Sequence, residues 1–202
     1  MSVDEPKRTS TNRPGCMIGF SIGWILFSLI FVFLGIGDED WTFVAFGGVF
    51  VLIGAGLLIF AGLRIYTRFR LGKPIITFSQ PTLRVGDSFT MTYEHTLRQN
   101  VDIQAFTVEL LFREIATYQQ GTDTRTVTHN HVIDTFEKPG GQYHKGHIWH
   151  ENFEMTIPAD GMHTLDVRRN KLKWIVKVQI NIPRLPNFVE EYELIVQPEM
   201  AR

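Results

Sequence analysis

Two stretches free of charged residues, Met17–Gly37 and Trp41–Leu63, lie near the start of the chain with only Asp38, Glu39 and Asp40 between them. An α-helix rises 1.5 Å per residue, so about twenty apolar residues cross the ~30 Å hydrocarbon core of a bilayer, and each stretch is long enough to do so. A charge at a helix centre costs at least about 2.5 kcal/mol on insertion, so its absence throughout favours the membrane. The expectation is an N-terminal transmembrane α-helical hairpin, with spans at 17–37 and 41–66 and a tight acidic turn at 38–40.

Lysine and arginine set its orientation, because basic flanks are retained on the cytoplasmic side. Lys7, Arg8 and Arg13 precede the first span, Arg64, Arg68, Arg70 and Lys73 follow the second, and the turn has none. Both termini and everything after the hairpin are therefore expected in the cytoplasm, at the plasma (inner) membrane, with the acidic turn outside. Trp41 and Tyr66 fall at the ends of the second span, where amphipathic rings favour the interface. Residues 1–16 are expected to be a disordered tail and 67–73 a basic juxtamembrane linker, with Arg64, Arg68, Arg70 and Lys73 in contact with the membrane surface. A secretory-signal reading of the first stretch competes, since it ends in Gly35-Ile36-Gly37, but its apolar run exceeds the 7–15 residues usual for a signal core.

Small residues recur inside the spans: Gly19 and Gly23 on the first, Gly47, Gly54 and Ala61 at seven-residue intervals on the second. Such positions let helix backbones approach closely in lipid, so they are assigned to packing the hairpin on itself. A seam for a homo-oligomer or for another membrane subunit is the alternative. Gly19-Phe20-Ser21-Ile22-Gly23 matches the serine-hydrolase pattern, but that chemistry requires a strained strand-to-helix turn and this copy lies within a span.

Twenty basic against twenty-one acidic residues give a net charge of −1, which argues against nucleic acid as the partner. The single cysteine, Cys16, excludes an internal disulfide or a multi-cysteine zinc site.

Beyond Pro74 the pattern changes to the alternation of half-buried strands. Phe89, Met91 and Tyr93 alternate with Ser88, Thr90 and Thr92. Phe106, Val108, Leu110 and Phe112 follow a break at Arg98-Gln99-Asn100, and Phe153, Met155 and Ile157 precede Pro158. Leu172, Trp174, Val176, Val178, Ile180 and Ile182 share one face, with Lys171, Lys173, Lys177, Gln179 and Asn181 on the other. Turn signals fall at Val85-Gly86-Asp87, Gly121-Thr122-Asp123, Lys138-Pro139-Gly140-Gly141, Ala159-Asp160-Gly161 and Pro183 to Asn187. Seven or eight strands with one apolar face each satisfy those faces by closing two sheets on each other. An all-β sandwich is expected over 74–198, with a short tail at 199–202.

The segment Leu83-Arg-Val-Gly-Asp-Ser-Phe-Thr-Met-Thr-Tyr93 with Val101-Asp-Ile-Gln-Ala-Phe-Thr-Val-Glu-Leu110 resembles the opening strands of arrestin-like domains, a Greek-key relative of the immunoglobulin-like sandwich. Phe153 to Pro158, Asn170 to Val178 and Glu190 to Pro198 are similar to their later strands. The layout also resembles uncharacterised microbial membrane proteins in which two helices precede such a domain. The resemblance implies a protein-binding scaffold or adaptor rather than an enzyme, with no cofactor, and it does not name the partner.

Five of the seven histidines lie between His129 and His150. His129 and His131 share a strand face, and a turn at Pro139-Gly140-Gly141 folding the next strand back beside them is the arrangement in which His129, His131, His144 and His150 bind a transition metal. Such a site is the alternative to an interaction module, a metal-dependent hydrolase or oxidoreductase; solvated histidines on a polar face are the competing reading. Asp134, Glu137, Glu151 and Glu154 read as charges that discourage strand aggregation. Contact with an unidentified protein is expected at Thr122 to His131, polar on both faces, and at an exposed sheet edge open to strand addition.

Overall fold

The computed structural model describes residues 7–8, 14–80 and 82–198. In chain order these form β1 (Lys7–Arg8), α1 (Pro14–Gly37), α2 (Trp41–Leu71), β2 (Ile75–Phe78), β3 (Leu83–Arg84), β4 (Ser88–Thr96), β5 (Val101–Gln120), β6 (Asp123–Tyr143), β7 (Ile148–Thr156), β8 (Leu165–Asp166), β9 (Asn170–Asn181), β10 (Phe188–Leu194) and β11 (Val196–Gln197). The chain divides into two compact units, the helical hairpin and the β-domain. The fold class is the expected one, two long apolar helices followed by an all-β sandwich.

Both helices are long and apolar enough to cross a bilayer. Asp40 starts α2 by accepting the Thr42 amide at 2.9 Å, which satisfies one of the unpaired donors of a helix N-terminus. In the turn before it, Glu39 takes a left-handed conformation (φ 56°). A run of rings knits the hairpin: Phe31 meets Phe43 and Phe46 at 6.3 and 5.9 Å, and Phe50 meets Phe46 and Trp24 at 4.6 and 5.6 Å. The Trp24 indole donates to the Phe50 carbonyl at 3.1 Å, and Ser21 and Ser28 donate to the carbonyls of Met17 and Trp24 one turn earlier. Each of these side-chain donors thus finds its acceptor within the hairpin, the condition for burial in lipid.

α2 does not end at 66. It runs to Leu71, so most of the stretch read as a linker is helical, because no breaker occurs before Gly72 (φ 93°) and Pro74. Glycine in a left-handed conformation followed by proline is a standard helix stop. At the other end α1 begins at Pro14, inside the segment read as a tail. Lys7 and Arg8 pair antiparallel with Glu193 and Tyr192 of β10. The remainder of that tail and residues 199–202 lie outside the described residues.

In the β-domain, one sheet has the order β1-β10-β9-β5-β6, with β8 added to β9, and a second has the order β2-β4-β7; β3 and β11 form a short parallel pair. Among the described residues seven strands have four or more residues, within the number the alternation implies. The apolar faces meet as expected: Phe106, Val108, Leu110, Val176, Val178 and Ile180 are wholly buried, against Phe89, Met91, Phe153, Met155 and Ile157 from the facing strands. Fully burying such a side chain contributes about 1.5–3 kcal/mol. Phe106 is central, with its ring 5.0 Å from Tyr93, 4.9 Å from Trp149 and 5.9 Å from Phe153.

One turn assignment is overturned. Lys138 to Gly141 is not a turn but part of β6, which continues to Tyr143 with Gly141 opposite Ile103 and Pro139 opposite Ala105. Gly140 is there because the strands approach too closely for any side chain, since a Cβ would lie 1.8 Å from the Ile103 carbonyl oxygen. The reversal comes instead at 144–147, around Gly146 (φ 83°), and carries the chain into the other sheet.

Candidate interaction surface

The β5–β6 hairpin is the longest feature of the domain. Its ladder runs from Val101↔Tyr143 to Gln120↔Asp123, closed by a two-residue loop in which Gly121 supplies φ 65°. Positive φ at the first loop residue matches the right-handed twist of the two strands. β9 follows β5 only as far as Ala116↔Asn170, so the last residues of the hairpin extend past it.

β6 is the last strand of its sheet among the described residues, and it is exposed without a break from Asp123 to Thr135. Devices that blunt an edge are a bulge, proline and charge. On β6 they cluster in one half. The register slips between Leu110 and Leu111, leaving Ile133 as the extra residue of a bulge, and Asp134, Glu137, Lys138 and Pro139 follow. From Thr124 to Val132 the strand carries threonine, valine, asparagine and histidine with one charge, Arg125, and no proline or bulge. Val127 and Val132 are about half exposed. Thr122 to His131 is thus exposed, as its two-sided polarity implies.

The histidines do not converge. His129 and His131 lie side by side on β6 with ring centroids 4.3 Å apart, and His131 Nε2 is 3.7 Å from Glu114. His144 is in the 144–147 turn. His147 rests on the Tyr143 ring, and His150 Nδ1 is 3.0 Å from Glu94 on the outer face of the second sheet. Because β6 and β7 belong to different sheets, the strand carrying His150 cannot fold back beside His129. Among the described residues no three His, Cys, Asp or Glu side chains are placed to hold a metal ion. Of the acidic group, Glu151 pairs with Lys138.

The outer face of the larger sheet is bound by ion pairs. Arg113 holds Glu191 with two hydrogen bonds of 2.8 and 2.9 Å, Lys173 holds Glu193 at 2.9 Å, and Lys177 holds Glu109 at 2.7 Å. They ring Leu111 and Ile175, paired across β5 and β9 and buried although they point away from the sandwich core.

Inside the sandwich lie two polar pairs, on positions that continue the alternation of their strands but carry polar side chains. On β4 the buried series Phe89, Met91, Tyr93 extends to His95, 1% exposed. The Tyr93 hydroxyl is 2.6 Å from His95 Nδ1. Across the core, the Tyr192 hydroxyl donates to the buried Glu190 carboxylate at 2.6 Å. Burial, reinforced by Tyr192 nearby, raises the Tyr93 phenol well above its usual range. Burial lowers the His95 imidazole to about 4, against the carbonyls of Leu71 and Gly72, which favour its protonated form. Those carbonyls come near without satisfying Nε2, which has no hydrogen-bond partner among the described residues.

In the helical hairpin, a Cβ at Gly47 would lie 2.8 Å from Val32 and one at Gly54 2.6 Å from Ile25, and Ala61 is wholly buried. Gly35, not singled out by spacing, is equally tight against Phe43. Gly19 and Gly23 meet nothing within 4 Å, so they do not pack against α2, because the side of α1 that carries them faces away from it. Gly54→Leu should therefore lower the thermal midpoint of the detergent-solubilised chain by the equivalent of about 1–3 kcal/mol. Gly19→Leu should leave it unchanged in the same melt. Of the basic residues that follow the uncharged stretch of α2, Arg64 lies over the Phe60 ring at 5.2 Å and Lys73 is exposed. Arg68 is half-buried, and Arg70 donates to the Asn100 carbonyl of the β-domain.

No protein family matches the sequence, and no characterised protein matches it. Among solved structures, the chain is similar to the sporulation control protein Spo0M from Bacillus subtilis, at 15% identity and a TM-score of 0.49, over 63% of this chain. The chain spans about half the length of that structure, 49%.

Proposed function

We propose that this chain is a membrane-anchored, non-enzymatic interaction module. Its two helices cross the plasma membrane as a hairpin, and its β-domain, on the cytoplasmic side, recruits a protein by adding an extended segment of that protein to β6. The observation that carries this reading is the contrast within β6: Thr124–Val132 is exposed, rich in β-branched residues and, apart from Arg125, free of blunting devices, while the bulge, the proline and the other charges fall in Ile133–Pro139. Main-chain hydrogen bonds along such an edge supply affinity and alternate side-chain contacts supply specificity. Tethering raises local concentration, so a weak contact suffices.

Pairing of Lys7 and Arg8 with β10 supports a two-span topology, because it requires the segment before α1 and the β-domain to share one side. The basic flanks support the cytoplasm as that side. Photo-crosslinking from Thr128 in living cells should give a discrete adduct. Val127→Lys with Val132→Lys should reduce it about tenfold or more, while Thr92→Lys on the outer face of the second sheet leaves it intact. An adduct indifferent to both changes contradicts strand addition. A second reading, an accessory subunit of a membrane complex, is favoured by Gly19 and Gly23, exposed on α1. Gly19→Leu would then abolish co-purification of the other subunit and leave the Thr128 adduct unchanged.

A further inference from the structure

The end of the β-domain at which the chain arrives from α2 is built from three segments. Arg70 lies in the last turn of α2, and its carbonyl accepts the amides of Arg98 and Gln99, both at 3.2 Å. Its guanidinium donates to the Asn100 carbonyl. The turn at 97–100 is in turn tied to the turn at 144–147: Leu97 N to His147 O at 3.0 Å, Gly146 N to Leu97 O at 2.8 Å, and Lys145 N to Asn100 Oδ1 at 2.7 Å. These bonds fix residues 70–75, 96–100 and 144–148 together as one surface.

That surface has a composition unlike the rest of the molecule. Those three segments hold Arg70, Lys73, Arg98 and Lys145 with His144 and His147 and no aspartate or glutamate, in a chain whose net charge is −1; Glu94, the acid opposite Ile75, is paired with His150. Lys73, Arg98, His144, Lys145 and His147 are all exposed. Two aliphatic side chains stand out of it into solvent, Ile75 at 62% and Ile148 at 68% exposed. An isoleucine that open on the outer face of a strand contributes nothing to the core.

Chain connectivity sets how far this surface is from lipid. The last residue of the uncharged stretch of α2 is Leu63, and Arg70 follows seven residues later in the same helix, about 10 Å at 1.5 Å per residue. The headgroup layer is about 5–7 Å deep on each side of the hydrocarbon core, and charge acts over a Debye length of about 8 Å at physiological ionic strength. Arg70 and the turns bonded to it therefore lie within reach of the headgroups.

We propose that this end of the β-domain is a second membrane contact, made with the anionic lipid headgroups of the bilayer that holds the helices. Arg98 and Lys145 pair with the headgroup charge, and Ile75 and Ile148 enter the interfacial layer. The proposal rests on the helices spanning a membrane. Each basic residue brought to an anionic surface favours contact roughly fivefold, so Arg98 and Lys145 together decide whether the contact holds.

The test uses the intact chain, with Cys16→Ser, carrying an environment-sensitive fluorophore on Ile148→Cys or, as a control at the hairpin tip, on Thr122→Cys. It is placed in nanodiscs of phosphatidylcholine alone or with about one third phosphatidylglycerol. Acrylamide quenching at 148 should fall about threefold in the anionic discs and return to the neutral-disc value in Arg98→Gln, Lys145→Gln, with no change at 122. Equal quenching at 148 in both lipids overturns the proposal, as does equal protection at 148 and 122. A chain that fails to co-purify with disc lipid contradicts the membrane reading itself, a result distinct from either.

Discussion

Gly140→Val should cost the β-domain about 3 kcal/mol or more, enough to lower the unfolding midpoint of the intact chain by more than about 10 °C in a tryptophan-fluorescence melt. A Cβ at this position would lie 1.8 Å from the Ile103 carbonyl oxygen and 2.5 Å from that of Gln104. Both are backbone atoms of the neighbouring strand, so no rotamer change relieves the clash. β5 and β6 would have to separate where β6 contributes Phe136, whose ring sits 5.6 Å from Phe153 across the core. Gly141→Ala is the control, since its nearest contact would be the Tyr143 ring at an ordinary 3.6 Å, and it should shift the midpoint little. Equal effects from the two changes would mean that β6 does not run straight through this segment.

Acidification should destabilise the β-domain through His95. The ring sits at about 4 in the folded protein, below the ordinary value near 6.5 that it regains on unfolding. Between those values the unfolded chain holds the proton and the folded chain does not, so stability is full above pH 6.5 and declines as pH falls toward 4. At 1.36 kcal/mol per unit the loss approaches about 3 kcal/mol. His95→Leu removes the titrating group at the price of leaving the Tyr93 hydroxyl without its 2.6 Å partner. It should start less stable at pH 7 and lose less on going to pH 4.5, so the two melting curves converge. Parallel curves would show that another group carries the acid sensitivity.

Much of the fold was legible because one face of each strand had to be apolar. Leu172 to Ile182 and Phe106 to Phe112 read as strands on alternation alone, and Val85-Gly86-Asp87 and Gly121-Thr122-Asp123 as turns on glycine, whose positive φ both turns use. Lys138 to Gly141 has the same composition as a turn, yet its glycine answers to the distance between strands, a tertiary quantity that local sequence does not encode. α2 passes its apolar limit because neither glycine nor proline occurs from Arg64 to Leu71, a stop signal that hydropathy does not measure. The exposure of Thr122 to His131 follows from its polarity on both faces.

The two polar pairs show where the sequence was silent. Extending Phe89, Met91, Tyr93 by one more step reaches His95, and Phe188 to Leu194 passes through Glu190, so both burials follow from alternation. Nothing local says that the Tyr93–His95 and Tyr192–Glu190 pairs belong to facing sheets of one core. Likewise His129 and His150 are close in sequence but lie on strands of different sheets, and a change of sheet at the 144–147 turn leaves no compositional trace.

The central claim is that two helices hold the β-domain on the cytoplasmic face of a membrane, and cysteine labelling in sealed, intact cells tests it most directly. With Cys16→Ser as background, Glu39→Cys should react with a membrane-impermeant maleimide, whereas Thr122→Cys should react only after lysis. Labelling of Thr122→Cys in intact cells, with Glu39→Cys protected, would place the β-domain outside and contradict the account.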